Sequence, residues 1–205
     1  MFKEMKIDEF LRGLSSDAPT PGGGAAAAVA GACGAALMLM VSNLTLKNGK
    51  YVKSHSEMRR IASIAQPGRE EFLRLADLDA CAFNSLLCAM QQKPSNDAEK
   101  AARKSAINTA SVEATLVPLH TLELAVSLSR ELPVLARLGI RHAVSDVGVA
   151  GCLLDTAFSG AELNVMINLP GIVDEQVRQD FTDKIKLLKP VLTDNLRDSR
   201  SEIKL

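Results

Sequence analysis

Pro19-Thr20-Pro21-Gly22-Gly23-Gly24 runs straight into Ala25-Ala26-Ala27-Ala28-Val29-Ala30-Gly31-Ala32-Cys33-Gly34-Ala35-Ala36-Leu37-Met38-Leu39-Met40-Val41. Two readings compete for this uncharged stretch. From Gly24 to Val41 it is long enough to span a bilayer. Its first half, however, is mostly Ala and Gly, which gain little from lipid, and no aromatic belt flanks it. The stretch therefore predicts a buried helix in a soluble bundle, with no membrane as partner. Gly24, Ala28, Ala32 and Ala36 recur at four-residue intervals, and Ala27, Gly31 and Ala35 form a second row. Such small residues let a neighbouring helix approach closely, and tight packing alone accounts for them. They also leave room for a ligand near the helix start.

Outward from this helix the hydrophobic periodicity is helical nearly throughout, with no convincing alternating strand. A short helix is expected over about Ile7–Leu14, and the Ala-rich helix runs to about Lys47, where Asn48-Gly49 stops it. A helix from about Ser54 should break at Gln66-Pro67-Gly68, and another should run from Arg69 to about Gln92. Asn96, with Glu99 three residues on, opens a helix that must kink at Pro118 and end near Pro133 or Gly139. Ser145 is placed as N-cap of a helix reaching Asn168, closed by Leu169-Pro170-Gly171. Asp174 caps a last helix, bent or broken at Pro190. With no repeat or linker, residues 1–205 read as all-α: a single-domain multi-helix bundle with long kinked antiparallel helices.

Composition narrows the function. The chain has 205 residues, 24 basic against 24 acidic side chains, and aromatics at only 3%. That length buries a full core without disulfides. Zero net charge without a basic block argues against a nucleic-acid or anionic-membrane partner, and scarce aromatics argue against base stacking. Cys33, Cys81, Cys88 and Cys152 make no Cys-x-x-Cys, and no secretory leader is recognisable, so reduced thiols in the cytoplasm are expected. His55, His120 and His142 lack metal-ligand spacing, so no metal site is expected.

Three places carry chemistry. The triple glycine offers backbone N–H groups at a helix start, which suits a carboxylate or phosphate, although a tight turn into a crowded helix fits the pattern equally. It is no Walker loop, because no Gly-Lys-Ser/Thr follows. Next, Asp77 and Asp79 lie roughly 200° apart on their helix. Phe72, Ala76, Phe83, Leu86 or Leu87, and Met90 form its apolar stripe, and Asp79 falls in the middle of it. Asp77 falls on the polar face with Glu70, Arg74, Cys81 and Asn84. A carboxyl on the apolar side should have a raised pKa, which suits general acid–base work near neutrality. The bland alternative is a core Asp satisfied by an Arg or by helix-end amides. Third, Asn164 and Asn168 share a face with Leu153, Ala157 and Ala161, where paired amides can meet a heterocycle edge. Asn168 equally suits a C-cap, and Ser145 suits an N-cap better than a nucleophile. Lys47, Lys50, Lys53 and Tyr51 form a cluster that is usually just solvated but can hold an acidic ligand.

Several motifs occur in a fixed order: Asp17 to Gly24; Asn43-Leu44-Thr45 ending at Lys50-Tyr51; Asp77-Leu78-Asp79-Ala80-Cys81-Ala82-Phe83; Val117-Pro118-Leu119; Ala143-Val144-Ser145-Asp146 with Gly148-Val149-Ala150; and Asn164 to Leu169. Together, over about Ile7 to Leu188, they resemble the folate cyclodeaminase/cyclohydrolase family. That family includes the cyclodeaminase half of formiminotransferase-cyclodeaminase and stand-alone methenyltetrahydrofolate cyclohydrolases. The resemblance implies a helical homodimer binding a tetrahydrofolate derivative near the subunit interface, with folate as substrate and no cofactor or metal. It implies Asp79 as the catalytic acid, the residue that helical phase also singles out. Substrate-binding candidates are Pro21, Gly22, Gly23, Gly24, Asn43, Lys47, Lys50, Ser145, Asp146, Asn164 and Asn168. Two departures stand out: Lys47-Asn48-Gly49-Lys50 is sparser in lysine than the family's usual run, which weakens the expectation of polyglutamate binding, and Pro67-Gly68 falls where relatives continue a helix.

The implied substrate has an electrophilic amidinium carbon between two nitrogens, and one carboxyl of raised pKa serves either direction of its chemistry. Methenyltetrahydrofolate cyclohydrolase is the first expectation, since no formiminotransferase segment accompanies the chain. Formiminotetrahydrofolate cyclodeaminase differs only in the leaving group. A non-catalytic helical dimer or scaffold satisfies the periodicity alone.

Overall fold

The computed structural model describes residues 1–203, and its helices are α1 (Ile7–Leu14), α2 (Gly23–Leu46), α3 (His55–Gln91), α4 (Asp97–Ser129), α5 (Leu132–Leu138), α6 (Val144–Asn168) and α7 (Glu175–Glu202). Among the described residues no strand forms. Helix α2 is the axis of the bundle, packed between α3 and α6, with α4 across both. Its small residues show why. Were Gly31 to carry a Cβ, it would stand 2.5 Å from the Phe72 ring of α3, and one on Gly160 would stand 2.8 Å from Ala27. Gly34 meets the Ala150 carbonyl and Leu153. The pairs Gly23–Asn164, Ala27–Gly160 and Gly34–Leu153 set α6 antiparallel to α2. Both small-residue rows are therefore buried, save Ala36, which lies outside. Helix α2 is long and apolar enough to cross a membrane by composition; here it is the bundle's central element, and it leaves a strip of its surface uncovered.

Local signals set most boundaries. Asn96 Oδ1 accepts the Glu99 N–H at 2.8 Å, while Glu99 reaches back to the Ser95 N–H at 2.7 Å, which starts α4. Asp174 Oδ1 accepts from Gln176 and starts α7. Thr45 Oγ1 accepts the Ile140 N–H at 2.8 Å and pins the α5–α6 connection to the end of α2.

Four boundaries differ from expectation. Helix α3 continues through Pro67 and α7 through Pro190. Both prolines are exposed, so the ladder bond each removes frees a carbonyl towards solvent, where water satisfies it. Gly68, buried beside Leu128, gives α4 its close approach. Helix α4 also runs through Pro118, which is buried, and ends at Ser129, before Pro133. Ser145 is not an N-cap: the turn Arg141–Ala143 feeds the helix from Val144, and Ser145 sits exposed in its first turn.

Candidate active site

A cleft of about 400 Å³ opens where the start of α2, the middle of α3 and the end of α6 meet. This is the size of many small-molecule sites. Its polar wall is Gly22, Gly23, Gly24, Asp79, Asn164, Asn168 and Ser111, and its apolar wall is led by Phe83, Leu86 and Met90.

Asp79 reaches the cleft because of Gly24. A Cβ at Gly24 would lie 2.5 Å from Asp79 Cγ, so the carboxyl occupies the space of the missing side chain. From there it accepts the Ala25 N–H in the first turn of α2. Burial pushes the Asp79 carboxyl up to about 6, against the downward pull of that N–H. Desolvation wins over one hydrogen bond. The two alternatives posed by sequence merge here, because the acid is satisfied by a helix-end amide and also faces the cleft. The stripe is not all core: Phe72 and Ala76 are buried, whereas Phe83 and Met90 are exposed and form the cleft wall.

Asp77 is not an ordinary surface acid. Its Oδ1 accepts the Phe2 N–H at 2.6 Å, and its Oδ2 is buried with no partner among the described residues. The N-terminal turn Phe2–Glu4, invisible to a periodicity argument on α3, folds over it.

Asn164 and Asn168 line the cleft as expected, one helical turn apart. Asn164 Nδ2 donates to the Gly160 carbonyl at 2.8 Å, and Asn168 Nδ2 donates to the Ala114 carbonyl at 2.9 Å. Each bond uses one amide N–H, so each side chain keeps its amide oxygen and a second N–H for a ligand. Asn168 thus ties α6 to α4 rather than capping its own helix.

Five expected binding residues lie elsewhere in the protomer. Asn43 is about 30 Å along α2 from Gly23, with Lys47 and Lys50 beyond it, all three exposed. Ser145 and Asp146 begin α6, again about 30 Å from Asn164, at the same end of the bundle as the lysines because α2 and α6 are antiparallel. A rigid helix keeps the glycine turn and the lysines from gripping one carboxylate within a protomer. Pro21 is buried under α1, where a Cβ at Gly13 would meet its ring at 3.2 Å, so it shapes the turn instead of lining the cleft. The sequence reading missed Pro19, Thr20, Ser111, Ala114, Ile167 and Gly171, which the fold brings to the cleft. Pro19, Thr20 and Gly171 stand in turns that the sequence does mark, whereas nothing in the local pattern marks Ser111, Ala114 or Ile167.

A helical bundle that buries one carboxyl of raised pKa in a cleft walled by amides has the equipment of an acid–base enzyme for a neutral or cationic heterocycle. The chain belongs to the formiminotransferase-cyclodeaminase family, whose model matches residues 6–187. It is 35% identical over 188 residues to a methenyltetrahydrofolate cyclohydrolase from Methylorubrum extorquens, covering 92% of this chain and 89% of that protein. It is 32% identical over 185 residues to the formimidoyltransferase-cyclodeaminase of Rattus norvegicus, spanning 90% of this chain and 34% of that longer protein. The crystal structure of formiminotetrahydrofolate cyclodeaminase from Thermotoga maritima superposes with a TM-score of 0.89 at 28% identity, covering 99% of this chain and 98% of that one.

Proposed function

We propose that this protein is a methenyltetrahydrofolate cyclohydrolase that interconverts methenyl- and 10-formyltetrahydrofolate, with Asp79 as its acid–base group. The observation that carries the reading is the Asp79 carboxyl, buried at the start of α2 and facing the cleft with a pKa near 6. At neutral pH it is largely ionised and draws a proton from a water as that water attacks the amidinium carbon. Protonated Asp79 then hands the proton to the ring nitrogen as the carbon–nitrogen bond breaks, and the hydroxyl proton of the intermediate leaves to solvent. One water is consumed and one proton released. The chemistry calls for no metal or redox cofactor, and the reduced thiols suit the cytoplasm. The identity to the cyclohydrolase across 89% of its length supports this direction.

A second reading, cyclodeaminase, draws on the close superposition with the Thermotoga maritima enzyme. There the same carboxyl protonates departing ammonia. Purified protein given methenyltetrahydrofolate should consume it, and should release no ammonia from formiminotetrahydrofolate. Ammonia release without hydrolysis selects the second reading, and turnover of neither returns the chain to a scaffold role.

The reading includes a homodimer through the outer face of α2 and α6. Helix α2 carries no charged residue, and Met40, Leu44, Val149 and Leu163 are exposed, Leu163 at 71%. Exposed apolar side chains along two adjacent helices support an interface there. A two-fold axis across α2 sets one protomer's Lys47 end against its partner's glycine end. It thereby brings Asn43, Lys47, Lys50, Ser145 and Asp146 towards a cleft they do not reach in their own protomer.

A further inference from the structure

Among the described residues, five of the seven buried hydroxyls share one habit, donating to a carbonyl of the preceding turn, Ser129 to Val126 at 2.8 Å among them. Ser42, Thr45, Thr115 and Thr121 each donate to the carbonyl four residues earlier, at 2.8, 2.7, 2.7 and 3.3 Å. Ser111 breaks it. It is 1% exposed, yet its Oγ has no hydrogen-bond partner among the described residues. It lines the cleft beside Gly171, where a Cβ would lie 2.9 Å from Ser111 Cβ and overlap the hydroxyl. The turn Leu169–Gly171 therefore leaves space for the hydroxyl without bonding it. A buried polar group left unpaired is costly, and a ligand that pairs with it recovers that cost.

We infer that Ser111 is a specificity-determining residue whose hydroxyl bonds the pyrimidine edge of the bound pterin. The inference rests on the folate reading above. Around the wall the polar groups run from Asp79 beside Gly24, to Asn164 near Gly23, to Asn168 one turn on, bonded to Ala114 of α4, and to Ser111 three residues before Ala114. A reduced pterin whose amidinium carbon meets Asp79 presents its ring away from that acid, along this wall. The two asparagine oxygens accept from its N–H groups. The hydroxyl, which both gives and takes a hydrogen bond, fits the corner where the 2-amino group adjoins a ring nitrogen.

The test uses calorimetric binding of 5-formyltetrahydrofolate, which has the whole pterin but no amidinium carbon, to the full-length protein. Ser111→Ala should weaken binding about tenfold, the worth of one hydrogen bond with a buried partner. KM for methenyltetrahydrofolate should rise to match while kcat stays within about twofold. The unliganded variant should melt no lower than the parent, since an unpaired hydroxyl has been removed. Ser111→Cys, a somewhat larger side chain with a weaker donor, should fall between. Affinity for p-aminobenzoylglutamate should not change. Unchanged affinity in Ser111→Ala overturns the inference, and so does a lower melting temperature with kcat and KM disturbed together, the signature of a packing role. Failure of the parent protein itself to bind 5-formyltetrahydrofolate overturns the folate reading instead.

Discussion

Replacing Asp79 by Asn tests function and energetics at once. The carboxyl moves from an ordinary 3.8 to about 6 in the fold. A raised acid binds its proton more tightly when folded, so this group costs nothing below about pH 4. It destabilises increasingly as pH rises through the folded value, and at a constant level above it. Two units correspond to about 3 kcal/mol. Asn keeps the volume, stays neutral and can still accept the Ala25 N–H. Urea unfolding at a series of pH values should therefore show the variant equal to the parent near pH 4 and more stable by about 1–3 kcal/mol above pH 7. Turnover should fall by about 10²–10⁴-fold, while binding of folate largely survives. In the parent, kcat/KM for hydrolysis should drop below about pH 6, where the base is lost. Its kcat should hold to lower pH, because a bound amidinium cation favours the carboxylate. Asp77→Asn is the control: its amide oxygen can still accept the Phe2 N–H, and it should leave the hydrolytic pH profile in place. An Asp79→Asn variant that keeps its turnover, or whose stability gain is the same at pH 4 and pH 7, would refute the reasoning.

Two further outcomes follow from packing. Gly24→Ala forces the new methyl into the Asp79 carboxyl and should cost about 1–3 kcal/mol with a severe loss of turnover, whereas Gly23→Ala, with Asn164 at 3.7 Å, should be nearly silent in a thermal melt. Leu163→Glu on the exposed face of α6 should give a folded monomer by light scattering at micromolar concentration and weaken folate binding; a dimer that survives it would place the interface elsewhere.

Two helix starts were legible because caps are local, while the start of α6 lies at Val144 without the Ser145 cap. Asn96 with Glu99 and Asp174 declare themselves within four residues, and the structure uses them as the pattern predicts. Prolines were less legible, since Pro67 and Pro190 act through the face they occupy, and burial is a tertiary property. Asp77 shows the same limit. Its helical phase is polar, yet a segment 75 residues away in sequence covers it. The cleft residues on α4 were unreadable for a related reason. Ser111 looks like any small polar helix residue until Gly171 and Asn168 are brought beside it.

In sequence the glycine turn and the acid pair are two signals, one a backbone anion site and the other a perturbed carboxyl. In the fold they are one feature, because the atom missing from Gly24 is the space that Asp79 fills. This changes what each residue means. The helix-start amide expected to hold a substrate anion already holds the enzyme's own carboxyl, at Ala25. Gly24 is then required by the chemistry of a residue 55 positions away rather than by its own turn, and no positive φ is involved, since every described glycine has a negative one. A larger side chain at 24 would push the carboxyl out of the low-dielectric corner that raises its pKa. The half-buried acid and the small-residue row are thus a single device: close packing of α2 on α3 partly desolvates Asp79, and the glycine lets the acid sit within that packing and still reach the cleft.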